Sequence, residues 1–209
     1  MGNGKKPATY EDIEALPVGW VGEILEDELV ASPRPAVGHA HATTVLSARL
    51  ISSFSLGDGG PGGWWILYEP ELHLGRDILV PDLAGWRRER MSRPPSPEEP
   101  FVTLAPDWVC EVLSPSTAAV DRTRKLPLYH REGVAHAWLI DPFARTLEVF
   151  RRESSGWLLT ATHEGDAQVR AEPFDAVLLG LSELWLARTG LSTKSLPVDV
   201  PSPSGRGRG

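Results

Sequence analysis

Two carboxylates lie inside apolar, β-prone runs of this chain, and nothing else in it constrains the fold as strongly. The runs are Ile78–Trp86, which holds Asp82, and Trp108–Leu113, which holds Glu111. A charge in such a segment is costly unless a positive group or hydrogen-bond donors sit beside it. Lys125 follows on a segment that reads as a helix packing back over these strands. Two carboxylates and one lysine are a minimal set for holding a divalent cation and activating water against a phosphodiester.

The chain has 209 residues, 41% of them hydrophobic and 23% charged, which is enough to bury a real core in one domain. The expected division is a flexible N-terminus over 1–9, one folded domain over 10–190 and a disordered tail over 191–209. A formal charge of −7 argues against indiscriminate coating of nucleic acid, which needs a basic footprint. Basic residues cluster locally, however: Arg87, Arg88, Arg90 and Arg93, then Arg122, Arg124, Lys125 and Arg131. The single cysteine, Cys110, rules out an internal disulfide and any multi-cysteine zinc site. No apolar run reaches the ~18 residues of a membrane span, and no signal-peptide core is visible, so a cytoplasmic protein is expected. The eight tryptophans are expected to anchor packing.

Tyr10 to Leu16 reads as a short helix, and Gly22 to Ser32 as an extended segment or hairpin. Ala42, Val45, Leu46, Leu50 and Phe54 recur at helical spacing and are followed by Gly57, Gly59 and Gly60, so a helix is predicted from His39 to Phe54. Trp64 to Tyr68 and Ile78 to Trp86 read as an antiparallel strand pair. Residues 87–106 read as an exposed loop, and 107–113 as the next strand. A helix is predicted over about 118–132, kinked at Pro127 and ended by Gly133. Ala135 to Ile140 is a buried strand, and Leu147 to Thr160 a trailing hairpin. The sum is an α/β layered domain with a mixed sheet.

Alternation puts Asp82 on one strand face with Val80 and Ala84, and Glu111 on one face with Val109. If the strands are neighbours, both carboxylates project from the same face and raise each other's pKa. A hard dication relieves that repulsion, and oxygen-only ligands favour Mg2+ or Mn2+ over zinc. The Val112 carbonyl is a third candidate ligand. Lys125 shares a helix face with Asp121 and Tyr129, where it either serves the site or merely pairs with Asp121 at the surface. Glu69 and Glu71, two apart, are lesser candidate ligands that loop solvation also explains. His39 reads as a helix-start packing or capping residue, and Ser114 and Ser116 as turn residues.

Pro81-Asp82, Glu111-Val112-Leu113-Ser114-Pro115-Ser116-Thr117, Asp121, Lys125, Tyr129, Gly133-Val134, Trp138 and Asp141 together resemble the Uma-two family of restriction-endonuclease-like proteins, within the PD-(D/E)XK nuclease superfamily. The resemblance implies a restriction-endonuclease-like core: a mixed β-sheet flanked by helices, with an extra N-terminal extended segment and a C-terminal hairpin. It also implies Mg2+- or Mn2+-dependent hydrolysis of DNA phosphodiesters. By position, Asp82 and Glu111 match the two motif acids. The superfamily lysine would fall at Leu113, and Lys125 resembles the migrated lysine of this family. Glu23 resembles an N-terminal acidic position that adds a ligand or supports one, with a solvated surface charge as the alternative, and His39 stands where the family often places a histidine near the site. Arg87, Arg88, Arg122 and Arg124 are then expected to contact phosphates. A two-fold homodimer is compatible with such an enzyme. The competing readings are an inactive DNA- or protein-binding module on the same fold, and a metal-free acid/base hydrolase.

Overall fold

The computed structural model describes residues 6–33 and 35–187; the first five residues, Arg34 and the expected tail over 191–209 lie outside the described residues. A short helix α1 (Tyr10–Glu14) leads into the hairpin β1 (Trp20–Leu25) and β2 (Glu28–Pro33). Its two-residue turn, Glu26-Asp27, has both φ angles positive (53° and 66°), as a tight hairpin requires. Helix α2 (Val37–Leu50) continues as a π-helical turn over Ile51–Leu56 and stops at Gly57, whose left-handed backbone (φ 82°) closes it. Ala42, Leu46, Leu50 and Phe54 are buried along it, as their spacing predicts.

Next come β3 (Trp64–Tyr68), β4 (Leu72–Leu74), β5 (Asp77–Leu79), β6 (Leu83–Arg87) and β7 (Trp108–Val112). A helical segment follows: α3 (Ala118–Val120), a π-helical turn over Asp121–Lys125, and α4 (Leu126–Arg131). Strands β8 (His136–Asp141), β9 (Thr146–Glu153) and β10 (Gly156–Glu164), the short pair β11 (Gln168–Val169) and β12 (Leu179–Gly180), and a 3-10 turn over Leu181–Leu184 complete the described chain.

The main sheet has six strands in the order β10-β9-β8-β7-β6-β3, and a second has the order β2-β1-β5-β4. Every pair in the main sheet is antiparallel except β7–β8. That parallel pair is the one joined by the helical crossover, as a parallel connection demands. One face of the sheet (Leu83, Trp108, Cys110, Val112, Trp138) packs against α2 and Phe174. The other (Ala84, Trp86, Val109, Ala137, Leu139) packs against α4 and against Leu25, Leu72, Leu74 and Leu79 of the second sheet. Trp64, Trp86, Trp108, Trp138 and Trp185 are buried, while Trp20 is exposed. Truncating one of the fully buried tryptophans to Ala would cost about 3–5 kcal/mol.

One expectation needs correction. Ile78–Trp86 is not one strand: it is split between the two sheets at Val80-Pro81-Asp82. Pro81 has no amide to give to a ladder, so the pairing stops there. The C-terminal hairpin is present as expected, and β9 also pairs with β8 so that the hairpin extends the main sheet. The helix near Pro127 runs on through the π-helical turn directly before α4, with the Leu126 amide capping back to the Asp121 carbonyl. Pro127 thus stands at the start of α4, directly after an interruption of the regular α-helical ladder, in keeping with its missing amide.

Candidate active site

The split at Val80-Pro81-Asp82 builds the site. β6 pairs with β7 so that Leu83 lies opposite Cys110; one step further along, Asp82 and Glu111 come together on the face that looks toward α4. Asp82 Oδ2 accepts the Val112 amide at 2.7 Å, and Asp82 Oδ1 lies 3.1 Å from His39 Nε2. The Val80 amide, freed from any ladder, donates to Glu23 Oε1 at 2.7 Å. The Val80 carbonyl accepts from Lys125 Nζ at 3.3 Å.

Lys125 sits at the centre. Its Nζ lies 2.8 Å from Glu111 Oε1, 3.0 Å from Glu23 Oε1 and 3.7 Å from Asp121 Oδ1. The Tyr129 hydroxyl donates to Glu111 Oε1 at 2.6 Å. Lys125 is 3% exposed, so pairing with Asp121 at the surface does not describe it. Burial alone would lower its pKa, but Glu111, Glu23 and Asp121 outweigh that and hold the amine protonated, well above the usual lysine range. Burial pushes the Glu111 carboxyl well up, and Asp121, Asp82 and Glu23 add to the shift against the pull of Lys125. Asp121 is likewise raised by burial. Burial and the neighbouring Glu111 raise the Tyr129 hydroxyl, keeping it a donor.

These groups line or adjoin a pocket of about 430 Å³. Its sides are the β1–β2 hairpin, the start of α2, and the turn at Ser114–Thr117, where the Ser114 and Thr117 hydroxyls bond each other at 3.0 Å. Four carboxylates (Glu23, Asp82, Glu111 and Asp121) share it with one lysine and one histidine. That excess of buried negative oxygen suits a hard dication. Among the described residues, no three His, Cys, Asp or Glu side chains form a ready cation cage. A dication held here would take one or two protein carboxylates and complete its shell with water and substrate oxygens.

Of the residues singled out from sequence, Glu23, Asp82, Glu111, Val112 and Lys125 meet in this pocket. Glu69 and Glu71 do not line it: Glu69 accepts from the Tyr68 hydroxyl at 2.9 Å, and Glu71 lies 2.7 Å from His73 Nε2. Nor do the four arginines line it. Arg87 stacks over Trp64 and Arg88 over Trp65; Arg122 pairs with Glu148; Arg124 donates to the Leu25 carbonyl and pairs with Glu28. His39 does not cap its helix, since Ala36 is the N-cap residue. It faces Asp82 instead, in line with the near-site histidine that the family resemblance implies.

Fold and site together define a mixed α/β protein with a restriction-endonuclease-like core and a carboxylate–lysine pocket beside the strand break. The chain belongs to the Uma2 family, described as "Putative restriction endonuclease", whose model matches residues 7–182. Among solved structures it is similar to a protein from Anabaena variabilis ATCC 29413, titled a putative nuclease belonging to DUF820. The two share 24% sequence identity over 85% of this chain and 97% of that one, with a TM-score of 0.68. No functionally curated protein matches the chain.

Proposed function

We propose that the protein is a divalent-metal-dependent nuclease that hydrolyses DNA phosphodiester bonds. The observation that carries this reading is the pocket itself, where Lys125 is buried among Glu111, Glu23 and Asp121 with Asp82 beside them. Membership of the Uma2 family supports it. Asp82, Glu111 and the Val112 carbonyl would hold Mg2+ or Mn2+. When bound, the ion supplies Lewis-acid polarisation of the phosphoryl group and neutralises charge there.

The chain's own groups do the rest. The Val112 amide and His39 fix the Asp82 carboxylate in place. Tyr129 and Lys125 do the same for Glu111. Lys125, kept protonated, sets its positive charge beside the oxygens on which charge builds as water attacks phosphorus in line. Its role is electrostatic stabilisation, and it is not the general base. Glu23 and Asp121 also pair with the ammonium and hold it in position.

The test is incubation of the purified protein with plasmid and with circular single-stranded DNA, in Mg2+, Mn2+ or chelator, alongside Lys125→Ala. Fragments from the wild type only when metal is present support the reading. Retention of DNA with no cleavage, unchanged by chelator, would instead mark a binding module.

A further inference from the structure

The acidic groups and Lys125 lie at the base of a pocket, not on an open surface. Glu111 is 3% exposed and Asp82 9%, while the rim residues Pro33 and Ser116 are exposed. The pocket, at about 430 Å³, falls in the lower part of the range of small-ligand sites, which run about 300–1,000 Å³. A volume of that order accommodates about one nucleotide.

A duplex presents its phosphates on a convex ridge, with the bases locked in the stack behind them. Such a ridge meets the rim before phosphorus approaches groups sunk at the base. An unpaired strand has no such limit, because its nucleotides splay out and enter singly. The two sides of the pocket differ in a way that suits such a guest. Val21 and Val30 belong to the same hairpin face as Glu23, by the register Glu23↔Val30 and Val21↔Ser32, and offer an apolar surface to a base. The hydroxyls of Ser114, Ser116 and Thr117 line the other side, where sugar and phosphate oxygens would find donors.

We infer that the site takes unpaired nucleotides, so that its substrate class is single-stranded DNA or the unpaired arm of a branched duplex. This rests on the nuclease reading above and adds the form of the substrate to it.

The experiment uses labelled oligonucleotides of one sequence as a single strand, a blunt duplex and a duplex with an unpaired flap, incubated with the full chain in Mg2+ or Mn2+. The expected result is cleavage of the single strand and of the flap arm, with the blunt duplex cut roughly 100-fold more slowly because it must first unpair. Equal rates on duplex and single strand, or cuts within the paired arm, would overturn the inference. Binding of the same oligonucleotides in Ca2+ is measured in parallel by fluorescence anisotropy, with Val21→Trp and, at the exposed rim, Ser116→Trp as pocket-filling variants. If nothing is cut but single strands bind preferentially and a filled pocket abolishes that binding, the nuclease reading fails and the single-strand inference stands. If nothing is cut and binding is absent or indifferent to strandedness, both fail.

Discussion

Lys125 reaches from the π-helical turn to within 2.8 Å of Oε1 of Glu111 on β7, and both side chains are almost wholly buried. The fold thus holds an ammonium against a carboxylate in a place where neither is stable alone. Glu23 and Asp121 press on the same ammonium, so the cluster carries more negative charge than Lys125 can neutralise.

Lys125→Met keeps the bulk of the side chain and removes its charge. Stripping one partner from a buried ion pair costs about 3–5 kcal/mol, and cleavage should fall to background. The sign of the pH dependence follows from the shifts. Lys125 has its folded pKa raised, so its contribution is fully present below the unfolded value of about 10.4 and is lost only as pH rises through the folded one. Glu111 is raised too, so its destabilising charge appears above the unfolded value of about 4.3 and grows with pH. Without the pull of Lys125 the Glu111 carboxyl is raised further, so the variant loses more stability than the wild type as pH rises. Its thermal-melting deficit should therefore shrink between pH 8 and pH 5. A deficit that widens toward acid would contradict the assignment.

Glu111→Gln retains an oxygen to accept from Tyr129 and Lys125 but removes the charge. Cleavage should be lost while the metal-free melting temperature stays level or rises. In the wild type, Mn2+ at about 100 times its Kd should add about 2.7 kcal/mol, seen as roughly 5–10 °C in Tm for a chain of this size. Glu111→Gln and Asp82→Asn should each abolish that rise. Differential scanning fluorimetry with and without Mn2+ measures both effects.

Tyr129→Phe removes the hydroxyl that donates to Glu111 at 2.6 Å. Losing a buried hydrogen bond to a charged group should cost about 1.5–3 kcal/mol, and activity should drop without vanishing, because Lys125 still engages the carboxylate. Chemical denaturation and a kcat measurement check the two parts separately.

His39→Ala leaves Asp82 with only its Val112 contact on the backbone side. Residues that orient a ligand typically change metal affinity or activity by about 10–100-fold when removed. A Mn2+ titration of activity should shift to higher metal by that order, with little change in Tm. An unchanged titration would show that His39 does no positioning.

Much of this architecture was legible in the sequence, for local reasons. The spacing of Ala42, Leu46, Leu50 and Phe54 dictates the face α2 buries, and alternation in adjacent strands puts Asp82 and Glu111 on one side of the sheet. The i, i+4 steps Asp121, Lys125 and Tyr129 mark one helix face, which the structure turns toward Glu111. What could not be read was long-range. An apolar run masks the strand break at Pro81, although the proline itself was the signal. The approach of His39 to Asp82, and the docking of Glu23 from a separate sheet, depend on how the layers pack and leave no mark in local spacing. The union of β9 with β8 is equally invisible, since a hairpin reads the same whether it is appended or joined to the sheet.

The central claim is tested most directly by incubating end-labelled single-stranded DNA with the wild type and Glu111→Gln, each in Mn2+ and in chelator. Fragments should come from the wild type in Mn2+ and from no other combination. Intact DNA in every reaction, or the same fragments from Glu111→Gln, would contradict it.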